Sequence, residues 1–166
     1  GEIYRGTNYA GTEIGHMMIV HDGLPCNCGG RGCFELYAAS PAFLREYIKN
    51  KTDNNKVVPD HITTKDIFFR ADEGDAEAND AIDTTISYLG TGFASLVNIF
   101  NPEIIVVGGG VACAGDSFIK RIQKNIESKA MKPCLKGLKV KGAMLGNDAG
   151  FVGAFSLAIE MFQKEN

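Results

Sequence analysis

The longest periodic signal in the chain runs from Asp75 to Phe100, where Ala78, Ile82, Ile86, Leu89, Phe93, Leu96, Val97 and Phe100 recur at steps of three and four. That spacing stacks them on one face of an α-helix. Gly90 and Gly92 fall inside the run. Each costs about 1 kcal/mol relative to alanine in a helix interior, so each marks either a kink or a close approach of another backbone. Asn101-Pro102 ends the helix, because a proline pushes the residue before it out of helical geometry.

Two shorter helices precede it. SPAFLREYIKN, positions 40–50, begins with Ser40 as N-cap and Pro41 at the first helical position, and turns Phe43, Leu44, Tyr47 and Ile48 to one side. KTDNNKVVPDHITT, 51–64, is polar and aperiodic and reads as a loop. TTKDIFFRADEGD, 63–75, is a short helix that Thr64 caps and Gly74 closes. Beyond Pro102, EIIVVGGG is a buried strand running into a glycine turn, and GDSFIKRIQKNIESKA is an amphipathic helix with Phe118, Ile119, Ile122 and Ile126 inward. LKVKGAML, 138–145, alternates like a strand, and FVGAFSLAIEMFQK, 151–164, is a last helix. Helix, strand, helix, strand, helix predicts a layered α/β unit with parallel or mixed pairing. The first forty residues are less regular. GEIYRG alternates and reads as part of a β-hairpin, and HMMIVHDG, 16–23, reads as a short strand closed by Asp22-Gly23.

At 166 residues and 17.9 kDa the chain has the size of one domain. A net charge of −3 gives no reason to expect nucleic acid or an anionic membrane as partner. Apolar runs such as IIVV fall far short of the ~20 residues that cross a bilayer. No leader pattern is legible, so a reducing cytoplasm is the expected setting, where clustered cysteines are metal ligands or redox groups more often than disulfides.

Composition becomes informative in one place. Cys26, Cys28 and Cys33 form C-x-C-x4-C, with glycines at 29, 30 and 32 between them and His16 ten residues before the first. Three thiolates and an imidazole complete a tetrahedral set for Zn²⁺, and the glycines let the backbone bend round an ion. A Cys26–Cys28 disulfide closes too small a ring, and the C-x-x-C of a redox pair is absent. The alternative, small core thiols, fits poorly with a segment this rich in glycine and polar residues. With four protein ligands and no open position, such an ion is structural. Cys113 and Cys134 read as ordinary buried thiols, and His21 and His61 as solvated imidazoles.

Taken together these segments resemble the ROK family (repressors, uncharacterised reading frames and sugar kinases). GTEIGHMMIVHDGLPCNCGGRGCFELYAAS, 11–40, carries an E-x-G-H motif followed by C-x-C-G-x-x-G-C-x-E, both intact. LVNIFNPEIIVVGGGV resembles the family's nucleotide-side strand and turn, and LGNDAGFVGA the entry to its C-terminal helix. The likeness spans essentially the whole chain and is greatest to bacterial glucokinases.

The resemblance implies the C-terminal lobe of the actin-like sugar-kinase (ribonuclease H-like) fold: one domain over 1–166, with a zinc and sugar loop at 13–35, a nucleotide-side portion at 101–166, and the first strands of the lobe missing. It makes His16, Cys26, Cys28 and Cys33 ligands of a structural zinc. It puts Glu13, His16 and Glu35 on the sugar, and Gly108, Gly109 and Gly110 near ATP. The implied reaction moves the γ-phosphoryl of ATP, with Mg²⁺, to a hexose hydroxyl, O6 of glucose first of all. The general-base aspartate and the main phosphate loop belong to an N-terminal lobe that precedes this stretch, so no catalytic residue is expected here and the chain alone should be inactive. The family also implies a homodimer, and the missing strands an unpaired sheet edge. The alternative within the family is the sugar-sensing part of a transcriptional repressor, the one case in which nucleic acid becomes a partner.

Overall fold

A computed structural model describes residues 3–109 and 115–165. Six helices and one small sheet make up its regular part: α1 (Glu35–Ala38), α2 (Ser40–Asp53), α3 (Thr64–Asp72), α4 (Ala76–Phe100), β1 (Ile104–Val107), α5 (Gly115–Glu127), β2 (Lys139–Gly142) and α6 (Ala149–Glu165). β1 and β2 pair in parallel, with Ile104 opposite Lys139 and Val107 opposite Gly142. The α/β expectation holds, and α5 is the crossover between the two strands.

α4 is the axis of the molecule. Asp75 caps it by accepting from the Ala78 N–H, and Asn101, at φ +44°, ends it one residue before Pro102. α2, α3 and α5 all pack along it. Phe43 and Tyr47 of α2, Ile67 of α3, Ile82, Ile86 and Val97 of α4 and Phe118, Ile122 and Ile126 of α5 form one buried cluster. α4 runs unbroken through both interior glycines, and each makes room for a neighbour. A Cβ on Gly90 would come within 2.6 Å of Asn125 on α5, and one on Gly92 within 2.4 Å of the Phe34 ring.

A charged network closes the α2–α4 corner. Lys51 Nζ lies 2.8 Å from Asp75 and 3.3 Å from Glu77, and Lys56 lies 2.6 Å from Glu77. The Tyr47 hydroxyl donates to Asp75, and Asn54 donates to Glu77. Glu77 is thus a carboxylate placed in the core with all its partners, as burial of a charge requires.

Several sequence expectations need correction. Ser40 is the first residue of α2 and Ala39 its N-cap, so Pro41 stands second, where its missing N–H is equally harmless. Thr63, and not Thr64, caps α3, because its hydroxyl and the Asp66 carboxylate satisfy each other's backbone N–H in a capping box. Phe100 is exposed: the buried cluster reaches Val97, and the last helical position lies beyond it. Cys134 is half-buried; Cys113 and Gly110 lie outside the described residues. No hairpin forms over the described part of GEIYRG. A Gly11 N–H to Arg5 carbonyl bond and positive φ at Tyr9 and Thr12 make turns instead. HMMIVHDG is not a strand either. Met18 bridges Cys33 once, and the next two N–H groups, of Ile19 and Val20, both turn to the Gly32 carbonyl, so no ladder propagates.

α6 contrasts with the other helices. It packs chiefly on the turn that leads into it, and Phe151, Phe155, Ile159 and Met161 stay exposed. The outward face of β1, Ile104 and Val106, is also open. Among the described residues no helix is long and apolar enough to cross a membrane.

Candidate metal centre and adjoining cleft

The segment from Glu13 to Glu35 has almost no regular structure, and local geometry organises it. A single 3₁₀ turn, Ile14–His16, delivers His16. The chain then runs beside the segment before α1 through the Met18–Cys33 and Pro25–Arg31 bridges. Inside the Pro25–Arg31 bridge the Cys26 N–H donates to Gly30 and the Gly29 N–H to Cys26, a tight loop with φ +88° at Gly29. Gly32 is equally constrained, because a Cβ there would sit 1.7 Å from the Val20 carbonyl oxygen.

This folding brings His16, Cys26, Cys28 and Cys33 together, with one ligand atom from each and all four within 4.8 Å of one another. Cys26 Sγ is 3.6 Å from His16 Nδ1, and Cys28 Sγ is 3.6 Å from Cys33 Sγ. Around a tetrahedral zinc with bonds near ~2.3 Å, two thiolates stand about 3.8 Å apart. The donor set fits such an ion in type, number and spacing.

The thiols' acidities describe the same crowding. Burial, then the neighbouring sulfurs of Cys28 and Cys26, push the Cys33 thiol up to about 12. At Cys26 a backbone N–H pulls the value down most strongly, yet burial and the Glu35 carboxylate together outweigh it, and the net direction is up. Cys28 goes down, chiefly through the Gly30 N–H. Three sulfurs this close resist ionising together, and a divalent cation among them removes that penalty.

The predicted sugar residues divide. Glu35 opens α1 directly after Cys33 and Phe34, and its Oε1 accepts from the Cys26 thiol at 3.2 Å and lies 3.5 Å from His16 Nδ1. It also borders an open cleft of about 460 Å³ whose lining includes Gly15, Phe93, Val106, Gly108 and Gly109. One cleft therefore joins the loop carboxylate to the glycine turn after β1. Glu13 stands just before the 3₁₀ turn, exposed and outside that lining. His21 is exposed and lies 3.4 Å from Asp22, and His61 is exposed as well.

Sequence reasoning missed two residues. Phe34, between Cys33 and Glu35, is buried in the notch over Gly92 and stacks edge-on against Phe93, with ring centroids 5.7 Å apart. Tyr37, buried on α1, accepts the Leu24 N–H at 2.7 Å. No periodicity exposes either residue; the only local hint is the apolar character of FELY.

Comparison with known proteins shows which family the chain is similar to. The ROK family model matches residues 1–161. A glucokinase of Halalkalibacterium halodurans is 38% identical over 161 residues, covering 92% of this chain and 49% of that protein. A xylose repressor of Bacillus spizizenii is 30% identical over 160 residues, covering 96% of this chain and 40% of the repressor. Among solved structures, a ROK family glucokinase from Streptomyces griseus, in complex with glucose and AMPPNP, superposes with a TM-score of 0.81 at 32% identity, over 94% of this chain and 54% of that one. The chain spans about half the length of the curated glucokinases it matches.

Proposed function

Because the chain belongs to the ROK family, we propose that it is the sugar-binding and nucleotide-side lobe of an ATP-dependent hexose kinase with the actin-like fold, glucose being the first candidate substrate. The observation that carries this reading is the convergence of His16 and three cysteines beside Glu35, on a cleft that Gly108 and Gly109 also line. The similarity to glucokinases, one of them solved with glucose and AMPPNP, supports it.

In this reading His16, Cys26, Cys28 and Cys33 hold a zinc ion, which crosslinks the loop and does no chemistry on the substrate. Glu35 and Glu13 accept hydrogen bonds from neighbouring sugar hydroxyls, since an ionised carboxylate offers two oxygens and no donor. The ring nitrogen of His16 that faces away from the ion binds the sugar as well. Gly108 and Gly109, with Gly110 beyond the described residues, let a nucleotide approach the backbone closely. Phosphoryl transfer then needs in-line alignment, Mg²⁺ on the phosphates and a carboxylate to accept the hydroxyl proton. The last of these is assigned to an upstream lobe, so this chain by itself binds sugar and does not turn over. A homodimer and a cytoplasmic setting complete the proposal.

Titration of the reduced, zinc-loaded chain with glucose should give heat that chelation abolishes, and a coupled assay with ATP should stay silent. Turnover by this chain alone would overturn the assignment of the base; glucose binding indifferent to chelation would overturn the role of the loop. The second reading is the effector domain of a repressor, favoured by the similarity to the xylose repressor. Operator binding by the full-length protein, released by sugar and without kinase activity, selects that reading.

A further inference from the structure

We infer that Tyr37 is a positioning residue for the metal centre, its hydroxyl setting the separation between the limb that bears Cys26 and the helix that bears Glu35. The inference rests on the reading of the four-residue cluster as a zinc site. Tyr37 touches neither the sulfurs nor the cleft, and its effect passes through the backbone.

The Tyr37 hydroxyl accepts the N–H of Leu24, two residues before Cys26, at 2.7 Å. Tyr37 itself stands on α1, two residues after Glu35 and four after Cys33. One hydrogen bond therefore joins the two limbs that must converge for Cys26, Cys33 and Glu35 to meet. The phenol is a firm anchor. Tyr37 is 7% exposed, and its ring lies against Tyr88 of α4 with centroids 4.8 Å apart and carries the Arg45 guanidinium over its face at 5.5 Å. Arg45 in turn donates to the Leu36 carbonyl at 2.7 Å, so the ring cannot swing without disturbing α1.

The loop is shaped to this hydroxyl. A Cβ on Gly23 would lie 2.2 Å from it and 2.9 Å from Gly32. A side chain at position 23 would thus crowd both the anchor and the Gly32 turn that leads into Cys33, and push the limb away from them. Beyond its backbone bonds, the Leu24–Cys26 limb is tied to α1 by this hydrogen bond and by the Cys26 thiol's bond to Glu35; only the first does not use a ligand atom, and α4 supplies the rigid wall behind it through Tyr88. Geometry around a tetrahedral ion tolerates little error, and groups behind the ligands commonly change metal affinity by about 10–100-fold.

Tyr37→Phe keeps the ring, its stacking and the Arg45 contact, and removes only the acceptor for the Leu24 N–H. The test measures zinc affinity by competition with a chromophoric chelator, together with denaturant unfolding of the metal-free chain. For Tyr37→Phe the expected result is a Kd for Zn²⁺ raised about ten-fold or more, with metal-free stability little changed. The thiolate-to-metal charge-transfer band of the Co²⁺ form should also be altered. Gly23→Ala should weaken zinc in the same direction. Tyr47→Phe, which removes a buried hydroxyl bond to Asp75 far from the loop in sequence, should lower global stability and leave the zinc Kd unchanged. A Tyr37→Phe chain with the wild-type Kd and the wild-type Co²⁺ spectrum overturns the positioning role alone. A wild-type chain that binds no metal overturns the zinc reading and this inference with it.

Discussion

The loop from 13 to 35 and the helix α4 show two different ways of holding a backbone in place. α4 is held by burial: its apolar face from Ala78 to Val97 packs into the core with α2, α3 and α5, and its polar ends are capped by Asp75 and Asn101. The loop buries only Cys26, Gly32 and Cys33 before it reaches Phe34, and holds its course through glycine turns, two isolated bridges and a convergence of sulfur and nitrogen. Hydrophobic burial is distributed, so losing one contact weakens a helix gradually. Coordination is concentrated, so losing one donor dissolves the arrangement. A binding surface benefits from the second kind of order, because it fixes polar groups at the surface where no core can form around them.

On the proposed zinc reading, the contrast is sharpest when the metal is taken away. Removing zinc with a chelator, or replacing Cys33 by serine, should drop bound metal from one ion per chain to nearly none. Amide protection should be lost through 13–35 while the centre of α4 exchanges as before, and hydrogen exchange with mass analysis reads both at once. Equal loss in α4 would show that the loop and the helical core are one cooperative unit.

Cutting the other side of the comparison gives the next largest effect. Phe43 is fully buried against Phe68 and Phe118, so Phe43→Ala should cost about 3–5 kcal/mol in denaturant unfolding with zinc affinity intact. Gly92→Ala tests the seam between the two regions. Its Cβ collides with the Phe34 ring, and Phe34 stands next to Cys33, so the expected cost of about 1–3 kcal/mol should come with weaker zinc binding. If zinc binding stays the same, Phe34 has shifted without moving its neighbour.

The smallest effect concerns pH. The Lys56 ammonium leads in holding the Glu77 carboxyl below the usual carboxylate range. At Asp75 burial is the largest influence and acts upward, but Lys51, the Ala78 N–H and the Tyr47 hydroxyl outweigh it and the net direction is also down. Groups whose values are depressed on folding contribute stability that is complete above their ordinary values, about 4, and lost as the pH falls through the lower folded ones. The melting temperature should therefore decline below about pH 4, and Glu77→Gln should flatten that decline. An identical acid limb in the variant would remove Glu77 from the account.

Much of the helical core was legible without the fold. The step of three and four in α4, and the four inward residues of α5, are properties of neighbours along the chain. The cap of α3 was misplaced by one residue because Thr63 and Thr64 are chemically equivalent, and only the Asp66 carboxylate meeting Thr63 separates them. HMMIVHDG has the composition of a strand and no partner that continues past one bridge, since Gly32 turns the returning chain away. α6 shows the converse failure. Its helix was predicted correctly, but periodicity cannot say whether an apolar face is covered, and Phe151 and Phe155 remain open.

What the order of residues determined by itself was local: helix period, glycine punctuation, and a donor set with the right chemistry for zinc in C-x-C-x4-C after E-x-G-H. Only the tertiary structure decided that Gly92 receives Phe34, that Tyr37 reaches back to Leu24, and that Glu35 and Gly109 share a cleft. The reason is physical. Backbone torsions and side-chain spacing act between residues a few positions apart, whereas a cleft or an anchor exists only once burial of the core has brought distant segments into van der Waals contact.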